Sequence, residues 1–440
     1  MSSRLRRAKE PNDLRAPRRL TPQARASGAT LALVVVAMCA AVALSEAAFR
    51  AVKRVVCVTA GAKLFRPHPL YGWTHEPGAE GWTNGCIGRA FEWRAFSRIN
   101  AEGLRDEEHA WTRTLEVTRI LLLGDSFAEA MQVPLAKTFA KRLQAKLNDD
   151  GRRVEVVNAG FSAFDTDNEL LFFESDGRRY QPDVVLLAFT EVNDVTGASK
   201  HLFERMYVEA LEGPPPKPHF KIGRDGGLRL DMRAVRRSWE EFAARRASVL
   251  GRAGMALERN LHLVRLVESA LSRRTLRSDA ARIVPSTVLG IYAPPTRVWE
   301  DAWALTRALL LRLQRDVDAT GATFAAVLIP PKEVVSPEAW RSLRARSPEH
   351  AEDALDVERP GVMSGALFAQ LGVPYLDLAP PLRSHFAATG RSGYFAWDVH
   401  LTEEGHDVVA EALRPFVERL LDERMRSVET RRVDRSATSW

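Results

Sequence analysis

The sequence predicts an α/β fold: a doubly wound parallel sheet of about five strands, with an N-terminal transmembrane helix and a helical insertion. Three observations lead there. From Val117 onward, short aliphatic runs alternate with longer stretches of helical periodicity, the pattern of strands joined by crossover helices. The first of them, Ile120–Leu123, is apolar without alternation, as a strand covered on both faces requires. Near the N-terminus, a basic prefix is followed by an apolar run longer than the core of a usual secretion signal.

Taken in order, residues 1–27 form a basic tail expected on the cytoplasmic side. Up to Gly28 the basic residues are Arg4, Arg6, Arg7, Lys9, Arg15, Arg18, Arg19 and Arg25, against Glu10 and Asp13. This prefix therefore holds most of the formal net charge of +7, and the rest of the chain is nearly balanced. A nucleic-acid binder carries its excess on a folded surface, so no nucleic-acid partner is expected. Positive charge just before an apolar helix is instead a topology signal.

The apolar run Gly28–Leu44 covers about 25 Å at helical rise, and extension to Phe49 adds roughly 7 Å. Residues 28–49 are thus read as a signal-anchor helix that leaves the rest of the chain extracytoplasmic, periplasmic or at the cell surface. A cleaved signal peptide is the second reading, since Ala41-Val42-Ala43 and Ser45-Glu46-Ala47 offer small residues, and a buried core helix is the third. Of the three cysteines, Cys39 lies in the apolar run. Cys57 and Cys86 follow it, where a disulfide persists if the compartment is oxidising; two separate thiols are the other reading. No Cys/His spacing calls for a metal, and no nucleotide fingerprint calls for a cofactor.

Residues 50–115, rich in Gly, Pro and aromatics, read as an irregular extension with one strand-like stretch at Phe91–Phe96. Residues 116–423 form the main domain. Its strands are Arg119–Leu123, Val154–Asn158, Val184–Phe189, Phe324–Ile329 and Pro374–Leu378. Helices are expected at Phe127–Leu147, Arg297–Ala319 and Thr402–Asp422. An insertion over 195–288 carries a hairpin around Asp225-Gly226-Gly227 and a basic amphipathic helix from Ala234 to Arg277; it is a candidate cap or substrate platform. Residues 424–440 are a polar tail expected to fray.

The chemistry concentrates in two places. Gly124-Asp125-Ser126 closes the first strand and opens a helix, and ligands of open α/β sheets bind at the carboxyl ends of the strands. Asp398-Val399-His400 precedes the last helix. A serine hydroxyl needs a histidine base, and the histidine needs a carboxylate to fix its tautomer. Ser126, His400 and Asp398 meet that requirement. His406 and Asp194 read as structural, the latter as a loop-fixing residue.

Together the blocks resemble the SGNH/GDSL hydrolase family, whose sheet is flavodoxin-like. Gly124-Asp125-Ser126 looks like the nucleophile block, and Asp398-Val399-His400 like the closing acid–histidine block. The resemblance implies an oxyanion hole of the Ser126 N–H, the Gly160 N–H and the Asn193 side chain. Two departures stand out. Glu191 occupies the position where the third block usually has glycine, and the acid–histidine spacing is one residue shorter than the commoner form. A side chain at Glu191 either crowds the hole or points away. The short spacing and the segment Ile99–Arg105 look like the membrane-anchored, polysaccharide-modifying branches.

The resemblance implies a serine esterase that hydrolyses or transfers O-acyl groups, on a glycan or a small ester, in the company of envelope polysaccharide machinery. Two alternatives use the same fold. One is an O-acetyltransferase of cell-envelope polysaccharide, with a sugar hydroxyl in place of water. The other is a catalytically silent carbohydrate-binding assembly subunit, with Glu191 as a sign of decay.

Overall fold

The computed structural model describes residues 22–57, 62–114, 116–209, 214–272, 286–347 and 354–437. Most of the basic tail, and residues 273–285 of the insertion, lie outside them. The chain divides into two compact units, Met1–Val55 and Val56–Trp440.

Among the described residues the first unit holds one helix, Pro22–Val55, longer at both ends than its apolar run. Its C-terminal extension is polar but helix-compatible: Glu46 and Arg50 pair one turn apart, and Lys53 and Arg54 stand in the last turn, where cations are favoured. Thr30–Val55, 26 residues with an 18-residue stretch of mean hydropathy 2.3, is long and apolar enough to cross a membrane. At helical rise it extends about 39 Å, against a hydrocarbon core of about 30 Å.

The second unit corrects the expectation of an irregular region before residue 116. Two antiparallel hairpins stand there: β1 (Phe65–His68) with β2 (Gly72–His75), and β3 (Glu80–Ile87) with β4 (Ala90–Arg98). Their burial does not alternate cleanly, so the period-two signal was absent from the sequence. The first hairpin is held by aromatic contacts, with Tyr71 and Trp73 both edge-on to Phe164. In the second, a disulfide joins Cys57 to Cys86 of β3, which decides the open cysteine question.

The central sheet comprises β5 (Thr118–Gly124), β6 (Val154–Gly160), β7 (Val184–Thr190), β10 (Thr323–Ile329) and β11 (Tyr375–Asp377). Between β7 and β10 the insertion contributes a small hairpin, β8 (His219–Ile222) with β9 (Leu228–Asp231). All sheet neighbours are parallel, in the order β11-β10-β7-β5-β6. Counted along the chain this is 2-1-3-4-5, the flavodoxin-like order. Alternate residues face opposite sides. Leu121, Leu123, Val185 and Leu187 pack under the helices Thr166–Ser175 and Arg297–Asp318. Ile120, Leu122, Val184 and Leu186 pack under Phe139–Asp149 and Glu403–Ala437. Two full faces explain why the strands read as unbroken apolar runs.

Three helices differ from expectation. The stretch after Ser126 is no single helix: one turn, Ser126–Glu129, stops at left-handed Ala130, and a new helix starts at Phe139, capped by Thr138. Pro134 lies between them and cannot donate to a continuing helix. The basic stretch of the insertion breaks into Arg233–Ala247, Val249–Asn260 and His262–Ser272, with the Ser248 hydroxyl capping the second. The closing helix does not end at Asp422 but continues to Ala437.

Candidate active site

Ser126, His400 and Asp398 come together at the carboxyl edge of the sheet. β5 ends at Gly124, and Asp125 turns the chain by accepting the Phe127 N–H on Oδ1 at 2.8 Å. This leaves Ser126 as the first residue of a one-turn helix, too short for an appreciable macrodipole. Ser126 Oγ lies 2.7 Å from His400 Nε2, and His400 Nδ1 lies 2.5 Å from Asp398 Oδ1. All three are part-exposed, so substrate can reach them. The Phe127 ring, 4.9 Å from that of His400, forms one wall. Burial pushes the Asp398 carboxyl up. The His400 ring, its backbone N–H and the Trp93 indole outweigh burial and hold the carboxyl below the usual value. Asp398 is therefore ionised, the state that orients the imidazole and stabilises its cation.

Of the expected oxyanion donors, Asn193 is on site: its Nδ2 donates to Asp125 Oδ2 at 2.7 Å. One of its two N–H bonds is thus committed and the other remains. Asp125 is fully buried, and burial raises its carboxyl despite the donors from Phe127 and Asn193. Gly160 is a correction. Its single N–H donates to Asn158 Oδ1 at 3.0 Å, so it has none left for an oxyanion. Glycine is needed there for room: a Cβ would lie 2.3 Å from the Glu129 backbone nitrogen and 2.7 Å from the Ala128 carbonyl carbon. In the turn beyond, Ala163 is left-handed at φ 60°, a conformation uncommon for a non-glycine residue.

Glu191 begins the helix after β7 and is buried. It does not crowd the hole. It lines a cavity of about 260 Å³ with Leu328, Tyr375, Asp377 and Glu358, on the β10–β11 side. Asp194, expected in a loop, lies in this helix, whose start it ties down by accepting the Thr190 N–H at 2.7 Å and the Thr166 hydroxyl at 2.9 Å. His406 is structural: it is buried, its Nδ1 accepts the Phe139 N–H at 3.2 Å, and burial lowers its pKa to about 3.

The sequence reading missed contributors from the N-terminal hairpins. Arg105, itself buried, donates to the carbonyls of Glu129, Ala130 and Val133 and clamps the turn behind Ser126. His75 of β2 bonds Glu129, whose other oxygen accepts from the Ser162 hydroxyl. Trp93 and Glu92 of β4 bond the Asp398 loop. Arg105 lay in the segment Ile99–Arg105, and Glu92 and Trp93 in the strand-like stretch Phe91–Phe96, but neither segment was given a role at the site; His75 carries no local signal. The insertion is anchored through Lys217, buried and ion-paired to Asp165 and Asp167. Among the described residues, no group of three or more His, Cys, Asp or Glu is arranged to hold a metal.

Comparison with known proteins gives one family match: residues 296–439 fit a model described as an SGNH hydrolase-like domain, acetyltransferase AlgX. No curated protein matches the chain. Among solved structures, TesA covers 69% of this chain and 99% of its own, at 13% identity and a TM-score of 0.35. The acetyl xylan esterase AlAXEase covers 68% and 99%, at 11% identity and a TM-score of 0.35. The psychrotrophic esterase EstA from Pseudoalteromonas sp. covers 69% and 99%, at 11% identity and a TM-score of 0.32. The matched stretch, which contains the closing acid–histidine block, is thus similar to the SGNH hydrolase-like domain of that acetyltransferase family.

Proposed function

We propose that this chain is a membrane-anchored serine acyl hydrolase or acyltransferase that uses Ser126 as nucleophile, His400 as base and Asp398 as orienting carboxylate. One observation carries the reading: the continuous chain from Ser126 Oγ to His400 Nε2 at 2.7 Å and from His400 Nδ1 to Asp398 Oδ1 at 2.5 Å. Hydrogen-bond reach from nucleophile to base, and from base to orienter, is what activated serines require.

His400 takes the Ser126 proton as Oγ attacks the ester carbonyl. The resulting oxyanion is held by the Ser126 N–H, the second amide N–H of Asn193 and, from the β6 side, the N–H of left-handed Ala163. His400 then protonates the leaving alcohol, and a water or acceptor hydroxyl, deprotonated by the same ring, releases the acyl group. No step calls for a cofactor or metal.

The acetyltransferase named in the matching family model favours a second acceptor, a polysaccharide hydroxyl in place of water. The acyl-enzyme is common to both. Decay of the site is disfavoured, since the side chain of Glu191 turns away from the hole. An apolar helix preceded by basic residues supports a single-pass anchor with the N-terminus cytoplasmic. The Cys57–Cys86 disulfide supports an oxidising, extracytoplasmic location for the catalytic unit. Acylated glycan is the favoured substrate and envelope polysaccharide machinery the favoured partner.

The test uses the full chain in detergent, with p-nitrophenyl acetate and a fluorophosphonate probe, beside Ser126→Ala. Turnover and labelling that vanish in the variant support the reading. A folded wild type that neither turns over nor labels sinks it. Adding an acetylated or free glycan separates hydrolysis from transfer.

A further inference from the structure

The acid of the triad is held from outside the catalytic sheet. Asp398 sits in a loop with no regular structure, and a carboxylate there needs donors on both oxygens to stay in one orientation. Its Oδ1 accepts the His400 Nδ1–H at 2.5 Å and the His400 backbone N–H at 3.0 Å. Its Oδ2 accepts the Trp93 indole N–H at 2.9 Å. The neighbouring residue of β4, Glu92, accepts the backbone N–H of Trp397 at 2.6 Å and of Asp398 at 3.0 Å. From the other side Lys332 donates to the Phe395 and Ala396 carbonyls, each at 2.6 Å.

The hairpin is shaped to present that indole. Trp93 pairs opposite Gly85, where the register slips by a bulge before Cys86. A Cβ on Gly85 would stand 2.3 Å from the Trp93 indole nitrogen and 2.7 Å from its ring carbon Cε2. Glycine therefore lets the ring cross β3. The next residue, Cys86, is tied by its disulfide to Cys57.

We propose that the β3–β4 hairpin is a working part of the active site, with Trp93 and Glu92 as positioning residues that fix the Asp398 carboxylate for His400. This rests on the triad reading given above. Trp93 touches no reacting atom; it acts through Asp398. Its N–H disperses charge on Oδ2. Without that donor, the carboxylate is more basic and the imidazolium is held more tightly, while the ring loses orientation. The groups facing the pair are Asp398 and Asp125 beside His400, Glu92 of β4, Lys332 after β10, and buried His406.

The experiment measures kcat, KM and the pH profile of kcat/KM for the full chain in detergent with p-nitrophenyl acetate, and the rate of fluorophosphonate labelling. Trp93→Phe keeps the ring and removes the donor. Its kcat should fall about 10-fold with KM little changed, and the acidic limb of the profile should move to higher pH. Gly85→Ala, which displaces the indole, should reproduce the loss, as should Glu92→Gln, which turns an acceptor oxygen into a donor against a backbone N–H. Trp82→Phe, at an exposed tryptophan of the same hairpin, should leave kcat unchanged.

If Trp93→Phe and Gly85→Ala keep wild-type kcat and an unmoved acidic limb, the hairpin is only structural and the proposal falls. If Trp93→Phe does not fold, Gly85→Ala and Glu92→Gln decide alone. A wild type that does not label removes the triad reading itself, and this proposal with it.

Discussion

Replacing Glu191 by glutamine should make the protein more stable, by an amount that grows with pH. The carboxyl is buried, and its Oε2 has no hydrogen-bond partner. Burial, and then the nearby Asp377 and Glu358 carboxylates, raise its pKa from 4.5 to about 8, with Arg383 opposing. A raised carboxyl binds more protons folded than unfolded, so stability is full below the unfolded value and declines as pH climbs toward the folded one. The loss is about 3 kcal/mol at pH 7 and approaches about 5 kcal/mol near pH 9, at 1.36 kcal/mol per pKa unit. Glutamine keeps the shape and cannot ionise. Urea unfolding, followed by tryptophan fluorescence in detergent at pH 4.5, 7 and 9, should show equal stability at the acid end and a widening gain above it. The other buried acids are common to both proteins and cancel in the difference. Parallel curves across the range would refute the reasoning and mean that the ionised carboxylate is compensated, by water or by a bound cation in the cavity.

Asn193→Ala removes an oxyanion donor and should lower kcat by about 10²–10³ in the p-nitrophenyl acetate assay; an undiminished rate would take Asn193 out of the hole. Lys217→Met leaves Asp165 and Asp167 buried without their cation and should destabilise by about 3–5 kcal/mol in urea unfolding. In Gly160→Ala the new Cβ meets backbone that carries Ser126. It should cost about 1–3 kcal/mol and most of the fluorophosphonate labelling, whereas a purely electronic role through its N–H would leave stability untouched.

Much of the fold was legible because its signals are local. Runs such as Ile120–Leu123 and Val184–Phe189 are apolar without alternation because helices cover both faces, and that pattern is written in the residues themselves. Ser126 and the Asp398–His400 pair, which the structure brings within hydrogen-bond reach, were legible for a similar reason, since strand ends and the last loop are where an open sheet gathers its polar groups. Element boundaries failed where a single residue overrode periodicity, as at left-handed Ala130 and at Ser248.

The tertiary structure decided what depends on distance in space. Gly160 ends β6 and Ala163 lies three residues on in the following turn, and only hydrogen-bond partners and backbone angles distinguish the packing glycine from the turn. Glu191 occupies a glycine position by spacing, yet its side chain lies in a different cavity from the one spacing suggested. Trp93 and Asp398 are separated by 305 residues, and no periodicity or local propensity couples them. Sequence alone determined the sheet and pointed to the residues proposed as reactive, because these follow from burial patterns and strand ends. Which carboxylate is held, and by which neighbours, was set by packing, because a hydrogen bond is fixed by angstroms and not by order along the chain.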